Sequence, residues 1–511
     1  MANKAQGASE PVHEAARKSA GGRVRPLALW FILWSAMLLV SAGNALARYP
    51  ILSGERDRIF SVLLATIAGV QLLRGVKFLG RREVVLCAVL LPVFCTSQLV
   101  QLPGTMGPSS SNRGFDFSAY YLAGKAISER PAQSLYQLPL FADGRMNLNT
   151  EDPASSVWHA DAVRYHVPFA APFLYPPFFA VLMKPFAQLS FASAYVVWNM
   201  VTTLLIIGAV LLSLDVGGVA IDGKLALILG VGLFSYFPLL ISQICGQIGG
   251  LILFLLAAGV WLLWKNRPWL SALCFAVATL IKLTPALAVP VLIFHRRWKW
   301  LMAYAVWMLS LLIFSVWQAG WSTHQQFWHE VMPSISCGAP VCTNSSVAAY
   351  VQDLFLGHVS VPQSPPLTIP PYACAVSRYV AIAVYCLMLV RFYLRRRDGL
   401  LTRDLVIMVL LGIVVSPISW WHHYTIGLLP FIYLWCKMPE KGNLTLLALF
   451  LAVGTNIVDI AQMLAVNHAA QLTLAAIIPG LTIALAYRSL APGREASSGG
   501  TRIIPEAAQS A

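Results

Sequence analysis

Long apolar runs separated by short polar connections recur along most of this chain. They occupy residues 27–47, 59–73, 84–102, 191–214 and 224–243. A further run ends at Trp264, and others cover 271–283, 284–294, 301–320, 379–394, 405–420, 426–435, 444–460 and 472–487. Several reach the roughly 20 residues that a helix needs to cross a bilayer, and the shorter ones sit between them in the same rhythm. The pattern predicts an all-α polytopic membrane protein with about fourteen spans. Two connections are long and polar, 104–177 and 321–377, too long to be simple turns. Between the first of these and the next span lies FLYPPFFAVLMKPFAQLS (173–190). Its paired prolines open a short amphipathic run that Pro185 breaks, which predicts a helix lying in the membrane interface. The runs 271–283 and 284–294 form a broken pair hinged near Pro285, a form tolerated at membrane depth where backbone lines a protein cavity.

Basic residues sort the connections. Arg74, Lys77, Arg81 and Arg82 follow the second run; Lys265 and Arg267, then His295, Arg296, Arg297 and Lys299, follow later ones. Arg395–Arg397, Lys437, Lys441, Arg488 and Arg494 complete the set. By the positive-inside rule these connections are cytoplasmic, both termini are cytoplasmic, and the two long loops face outward. Arg48, Arg56 and Arg58 run against the rule, with Glu55 and Asp57 among them. The expected organisation is a disordered tail (1–26), N-terminal spans (27–103), and an outer loop with its interfacial helix (104–190). A transmembrane core holding the second outer loop (191–488) and a disordered tail (489–511) follow. The ALA before Arg48 mimics a signal-peptidase site, but the run before it is long and reads as an uncleaved anchor.

Composition supports this picture. Of 511 residues, 58% are hydrophobic and 11% charged, and the mean hydropathy is +0.68. No soluble domain hides so much apolar surface. The net charge of +15 is explained by topology and attraction to anionic membrane lipid, not by nucleic acid. Most of the nine cysteines fall inside apolar runs (Cys87, Cys95, Cys245, Cys274, Cys386, Cys436) and read as inert core residues. Cys337, Cys342 and Cys374 share the second outer loop, where a disulfide can form. No metal or cofactor is expected.

Three polar features are placed on the outer side. Asp116 lies in GFDFSAYYLAGKAI (114–127), where its ordinary role would be to cap a helix starting at Phe117. Lys282 lies in TLIKLTPAL near the hinge of the broken pair, where it could snorkel to the interface. His422 and His423 lie in SPISWWHHY (416–424), where they could belong to an aromatic belt. Together they suit one reaction. A carboxylate can deprotonate a hydroxyl, and lysine with imidazole can stabilise a departing phosphate. No P-loop, Rossmann fingerprint or Ser–His–Asp arrangement is visible. The energy for an outward-facing reaction would then come from a lipid-phosphate bond.

DFSAYYLAGKAI with LY (135–136), then YPPFFAVLMKPFAQL, GQIGG, LIKLTPAL and SPISWWHHY in that order, resemble glycosyltransferase family 87. The resemblance covers roughly residues 110–435. It implies a GT-C-type fold and an inverting, polyprenyl-phosphate-sugar-dependent hexosyl transfer, of mannose in particular, to a lipid or glycan acceptor on the outer face of the cell membrane. On that resemblance Asp116 is the general base, and Lys282, His422 and His423 contact the donor phosphate. Tyr120, Tyr121, Tyr175 and Gln247 are candidate substrate contacts. One departure is that two spans precede the one feeding the Asp116 loop. A multispan transporter or lipid flippase is the rival class; it predicts an inverted repeat, and none is visible. A metal-dependent oligosaccharyltransferase would want more outward acids than Asp143, Glu151, Asp152 and Asp161 supply.

Overall fold

The computed structural model describes residues 114–129, 135–136, 157–168, 170–219, 233, 236–338, 344–356, 369–395, 401–437, 443–454, 458, 461–462 and 467–489. The expected tails, the spans within 27–103, most of 224–243, the acids Asp143, Glu151 and Asp152, and Cys342 lie outside these residues. So do the basic residues Arg81, Arg82, Arg396 and Arg397. The described chain is helical, with a single isolated bridge between Asn344 and Trp420.

The helices are α1 (Phe115–Glu129), α2 (Val157–Arg164), α3 (Pro177–Met183), α4 (Phe191–Gly217), α5 (Phe237–Cys245), α6 (Gly249–Trp264), α7 (Pro268–Ile281), α8 (Val289–Phe294), α9 (Trp298–Ala319), α10 (Trp321–Gln326), α11 (Met332–Cys337), α12 (Val347–Leu356), α13 (Pro371–Arg395), α14 (Leu401–Val415), α15 (Leu428–Lys437), α16 (Asn443–Gly454), α17 (His468–Ala475) and α18 (Ile477–Ser489). Among the described residues, four stretches are long and apolar enough to cross a membrane: α4, α9, α13 and the continuous stretch His468–Ser489.

Sequence sets where these helices start and stop. Ser190 caps α4 by accepting from the Ser193 N–H at 3.3 Å. Its last turn closes with Gly218 N–H on Asp215 O and Val219 N–H on Leu214 O, both 3.0 Å. The 27 residues of α4 give a length of about 40 Å, ample for a bilayer. On α9, Met302, Val306, Leu309, Ile313 and Trp317 are exposed at helical spacing. Such a stripe is stable only when lipid or another apolar surface covers it, and the helix is long and apolar enough to cross a membrane. Leu401–Val415 is the opposite case. Its apolar side chains are buried all round, so α14 sits at the centre of the packed bundle.

The run after the paired prolines behaves as its residues dictate. Pro177 starts α3, and the helix ends at Met183, ahead of Pro185. Its side chains are almost all buried, packed by α1, α7 and α9, so protein covers most of its surface. The broken pair divides at Lys282, which is extended (φ −148, ψ 125) between α7 and a 3-10 turn over Thr284–Ala288. Pro285 explains the position. It has no N–H to bond the carbonyl of Ile281 four residues back, and its ring would clash with that carbonyl if the helix ran on. Cys337 is disulfide-bonded to Cys374, with their Cα atoms 5.1 Å apart, which tethers α11 to α13.

Candidate active site

The site is organised on the turn between α5 and α6, CGQIGG. Gly246 ends α5 with φ +70, and a Cβ there would lie 2.6 Å from the Cβ of Phe117. Both the backbone and the close approach of α1 therefore demand glycine. The turn's carbonyls are held from α4 and α1. Tyr195 Oη donates to Ile244 O at 2.7 Å, Trp198 Nε1 to Gly246 O at 2.8 Å, and the Gly114 N–H to Ile244 O at 2.8 Å. On the other side, a Cβ on Gly249 would sit 3.2 Å from both His422 O and Thr425 Cβ. The turn is thus clamped between the segment that carries Asp116 and the segment that carries the histidine pair.

Asp116 is not an N-cap. The helix starts at Phe115, and Gly114 O accepts the Ser118 N–H at 2.8 Å, which leaves Asp116 in the first turn. Its carboxylate is instead hydrogen-bonded by Gln247 and Cys245. Burial pushes its pKa up from 3.8 to about 6, against the two hydrogen bonds, which favour the ionised form. A half-buried carboxylate with this pKa can accept a proton near neutral pH. Cys245, grouped by sequence with the inert core cysteines, therefore belongs to the site. The signal was its place directly before GQIGG.

Helical geometry sorts the tyrosines. Tyr120 lies one turn beyond Asp116 and faces the same way. Its hydroxyl bonds Gln247 Oε1 at 2.9 Å and shares a 3.1 Å hydrogen bond with Tyr175. Tyr120 is 1% exposed, so it forms the wall behind Tyr175, which is half-buried and close enough to feel the charge of Asp116. Tyr136 Oη donates to Tyr175 O at 2.6 Å and fixes that loop. Tyr121 is turned away. It is buried against Phe191 and donates to Leu189 O at 2.8 Å, in the packing of α1 on the loop before α4. The structure brings Asp116, Tyr120, Tyr175 and Gln247 together and leaves Tyr121 out.

Lys282, His422 and His423 form the second half of the site. All three are half-buried. The imidazoles lie edge to face, 4.5 Å between centroids. Burial, together with the positive charge of nearby Lys282, holds both well below the usual histidine range. No ion pair joins Lys282 to a carboxylate among the described residues. A cation kept in this setting without an acidic partner is costly. Two imidazoles beside it complete a cluster of potential donors that no carboxylate among the described residues neutralises.

Residues 173–417 match the family model of glycosyltransferase family 87. The resemblance carried by the ordered motifs therefore holds. The matched segment contains Tyr175, Gln247 and Lys282, while Asp116 lies before it and His422 and His423 just after it. The chain is 31% identical over 260 residues to a polyprenol-phosphate-mannose-dependent alpha-(1-2)-phosphatidylinositol pentamannoside mannosyltransferase of Mycobacterium tuberculosis strain CDC 1551 / Oshkosh, covering 50% of this chain and 56% of that protein. It is 26% identical over 286 residues to a polyprenol-phosphate-mannose-dependent alpha-(1-2)-phosphatidylinositol mannoside mannosyltransferase of M. tuberculosis strain ATCC 25618 / H37Rv, covering 52% of this chain and 63% of that protein. The first of these alignments and one with a Mycolicibacterium smegmatis relative (27% identical) span 56% and 59% of the relatives' lengths. No solved structure matches the chain.

Proposed function

We propose that this protein is an integral-membrane inverting mannosyltransferase that takes its sugar from polyprenyl-phosphate mannose. One observation carries the reading. A raised-pKa carboxylate, and a lysine with no acidic partner among the described residues beside two imidazoles, flank opposite sides of the same CGQIGG turn. That is the division of labour the reaction needs. Asp116 takes the proton of an acceptor hydroxyl as that oxygen bonds to the anomeric carbon from the face opposite the phosphate. The bond between the anomeric carbon and the phosphate oxygen breaks, and its electron pair leaves with polyprenyl phosphate. Lys282 meets the charge that develops there, with His422 and His423 beside it. The phosphate departs as an anion and needs no proton, so one carboxylate suffices where a glycosidase uses two.

The relatives' names support mannose on a polyprenol phosphate as donor and a phosphatidylinositol mannoside or similar glycolipid as acceptor. The loop charges support a chain crossing the cell membrane about fourteen times, with this site on the extracytoplasmic face. Tyr175, the half-buried tyrosine beside Asp116, is the best placed to pack against sugar. The test is incubation of the purified protein with polyprenyl-phosphate mannose and a glycolipid acceptor. Release of polyprenyl phosphate matched by a mannosylated acceptor is expected. Movement of an intact solute or lipid across liposomes without cleavage of any lipid donor would replace this reading with that of a transporter or flippase.

A further inference from the structure

The second outer loop grips the segment that carries the histidine pair, and Asn344 makes the central contact. Its side chain is 6% exposed. Its Nδ2 donates to Pro417 O at 3.1 Å, and its Oδ1 accepts the Ser419 N–H at 2.8 Å. The two bonds fall on either side of Ile418. Its neighbours add to the grip. The Ser345 N–H donates to Ser419 O at 3.0 Å, Ser346 Oγ to Pro417 O at 3.2 Å, and Tyr424 Oη to Ser345 O at 3.1 Å. The loop is in turn tied down by the Cys337–Cys374 disulfide and by Gln352 Nε2, which donates to Cys337 O and Ser377 Oγ.

Ile418 is where this grip meets the chemistry. His423 Nδ1 lies 3.1 Å from Ile418 O. A carbonyl oxygen only accepts, so Nδ1 carries the hydrogen, and in the neutral ring Nε2 is left as the free acceptor. Ser416 Oγ donates to the same carbonyl at 3.0 Å. The direction of one carbonyl therefore decides both the tautomer and the aim of His423.

We propose that Asn344 is a positioning residue for the donor-phosphate site, acting through the Ile418 carbonyl on His423. The inference rests on the function proposed above. Asn344 bonds the 417 and 419 backbone from both sides and so fixes the peptide between them. Without it the segment keeps its apolar packing and its serine contacts, but the Ile418 peptide loses the bond that fixes its plane and His423 loses its aim.

The experiment uses the full-length protein in detergent with Asn344→Ala, Asn344→Asp, His423→Ala and the Asn344→Ala/His423→Ala double variant. Binding of polyprenyl-phosphate mannose is measured for each. Asn344→Ala is expected to weaken it about fivefold or more, the weight of one lost hydrogen bond, with the KM for acceptor unchanged. In the His423→Ala background the same change should add less than about twofold, because the two residues act in one chain. Asn344→Asp keeps the acceptor for Ser419 and should fall between wild type and Asn344→Ala; it also serves if the alanine variant fails to fold. Fully additive losses, or a loss confined to the acceptor, would show a merely structural role. Labelled-histidine NMR judges the idea without any donor. The His423 ring should hold its hydrogen on Nδ1 in wild type and lose that preference in the Asn344 variants, and an unchanged ring would overturn the proposal. If wild type itself does not bind the donor, the proposed function falls, and the NMR result still decides the role of Asn344.

Discussion

Replacing Asp116 with asparagine should separate activity from stability in a way that only a buried base can. Asparagine keeps the shape and an oxygen for Gln247, but it cannot take a proton. Transfer should fall by a factor of about 10²–10⁴, the usual contribution of a general base. Stability should move the other way. The carboxyl pKa is raised from 3.8 to about 6 on folding, so the folded state holds the proton more tightly than the unfolded one. Below about pH 4 both states are protonated and folding carries no penalty. Above about pH 6 the folded protein bears an ionised carboxylate that burial disfavours. At roughly 1.4 kcal/mol per pKa unit, and with allowance for a side chain only half-buried, the penalty at neutral pH is about 2 kcal/mol. Asp116→Asn removes it. Thermal unfolding in detergent should therefore show the variant more stable than wild type at pH 7, with the gap closing as the pH falls toward 4. In wild type, kcat/KM should rise with pH through about 6 as the base ionises. Near wild-type turnover in the asparagine variant would end the role assigned to Asp116. A variant that is inactive but less stable at both pH values would show that the carboxylate is structural.

Three further outcomes follow from the other half of the site and from the topology. Lys282→Ala and His422→Ala should each weaken binding of polyprenyl-phosphate mannose or slow its cleavage about tenfold or more, as a charge-assisted hydrogen bond is worth roughly 1.5–3 kcal/mol; normal binding and turnover in both would reduce the residues to interfacial anchors. Burial and Lys282 hold His422 and His423 well below the usual histidine range, so both are neutral near pH 7, and an arriving phosphate favours the protonated ring. Donor affinity, measured by titration calorimetry, should therefore fall as pH rises, and His423→Ala should flatten the dependence; a pH-independent affinity would contradict phosphate contact by the imidazoles. A cysteine placed at Ser110 should react with an impermeant reagent from outside intact cells, and reaction only after permeabilisation would put the site on the cytoplasmic face.

What the sequence made legible was what one residue's own chemistry decides. The apolar runs located α4, α6 and α9 to within a few residues, because a bilayer imposes length and composition directly. Pro285 marked the break at Lys282, and Pro185 the end of α3, because proline interrupts the helix within the turn before it. The charge-bearing residues stood out against apolar surroundings for the same reason. What stayed hidden depends on which side chains meet. The face of α1 that holds Asp116 and Tyr120 also excludes Tyr121, yet adjacent tyrosines look alike until the helix register is known. Cys245 looked like other buried cysteines until Asp116 was found on it. Asn344 lies in a polar loop with no motif around it, and its two backbone bonds join segments more than seventy residues apart.

The glycines of GQIGG show how the two kinds of information combine. In sequence they are only a tight turn between two apolar runs. In the structure Gly246 admits Phe117 at a distance no side chain would allow, and Gly249 lets the His422 backbone come closer than most side chains would. A segment preceding the matched region and one following it are thereby drawn onto a turn within it. Of the site residues, the matched segment holds Tyr175, Cys245, Gln247 and Lys282 but neither Asp116 nor the histidine pair. The physical case for a transferase site thus rests on close packing at this turn. A bulky residue at Gly246 would separate Asp116 from Gln247 without touching any group that takes part in the chemistry.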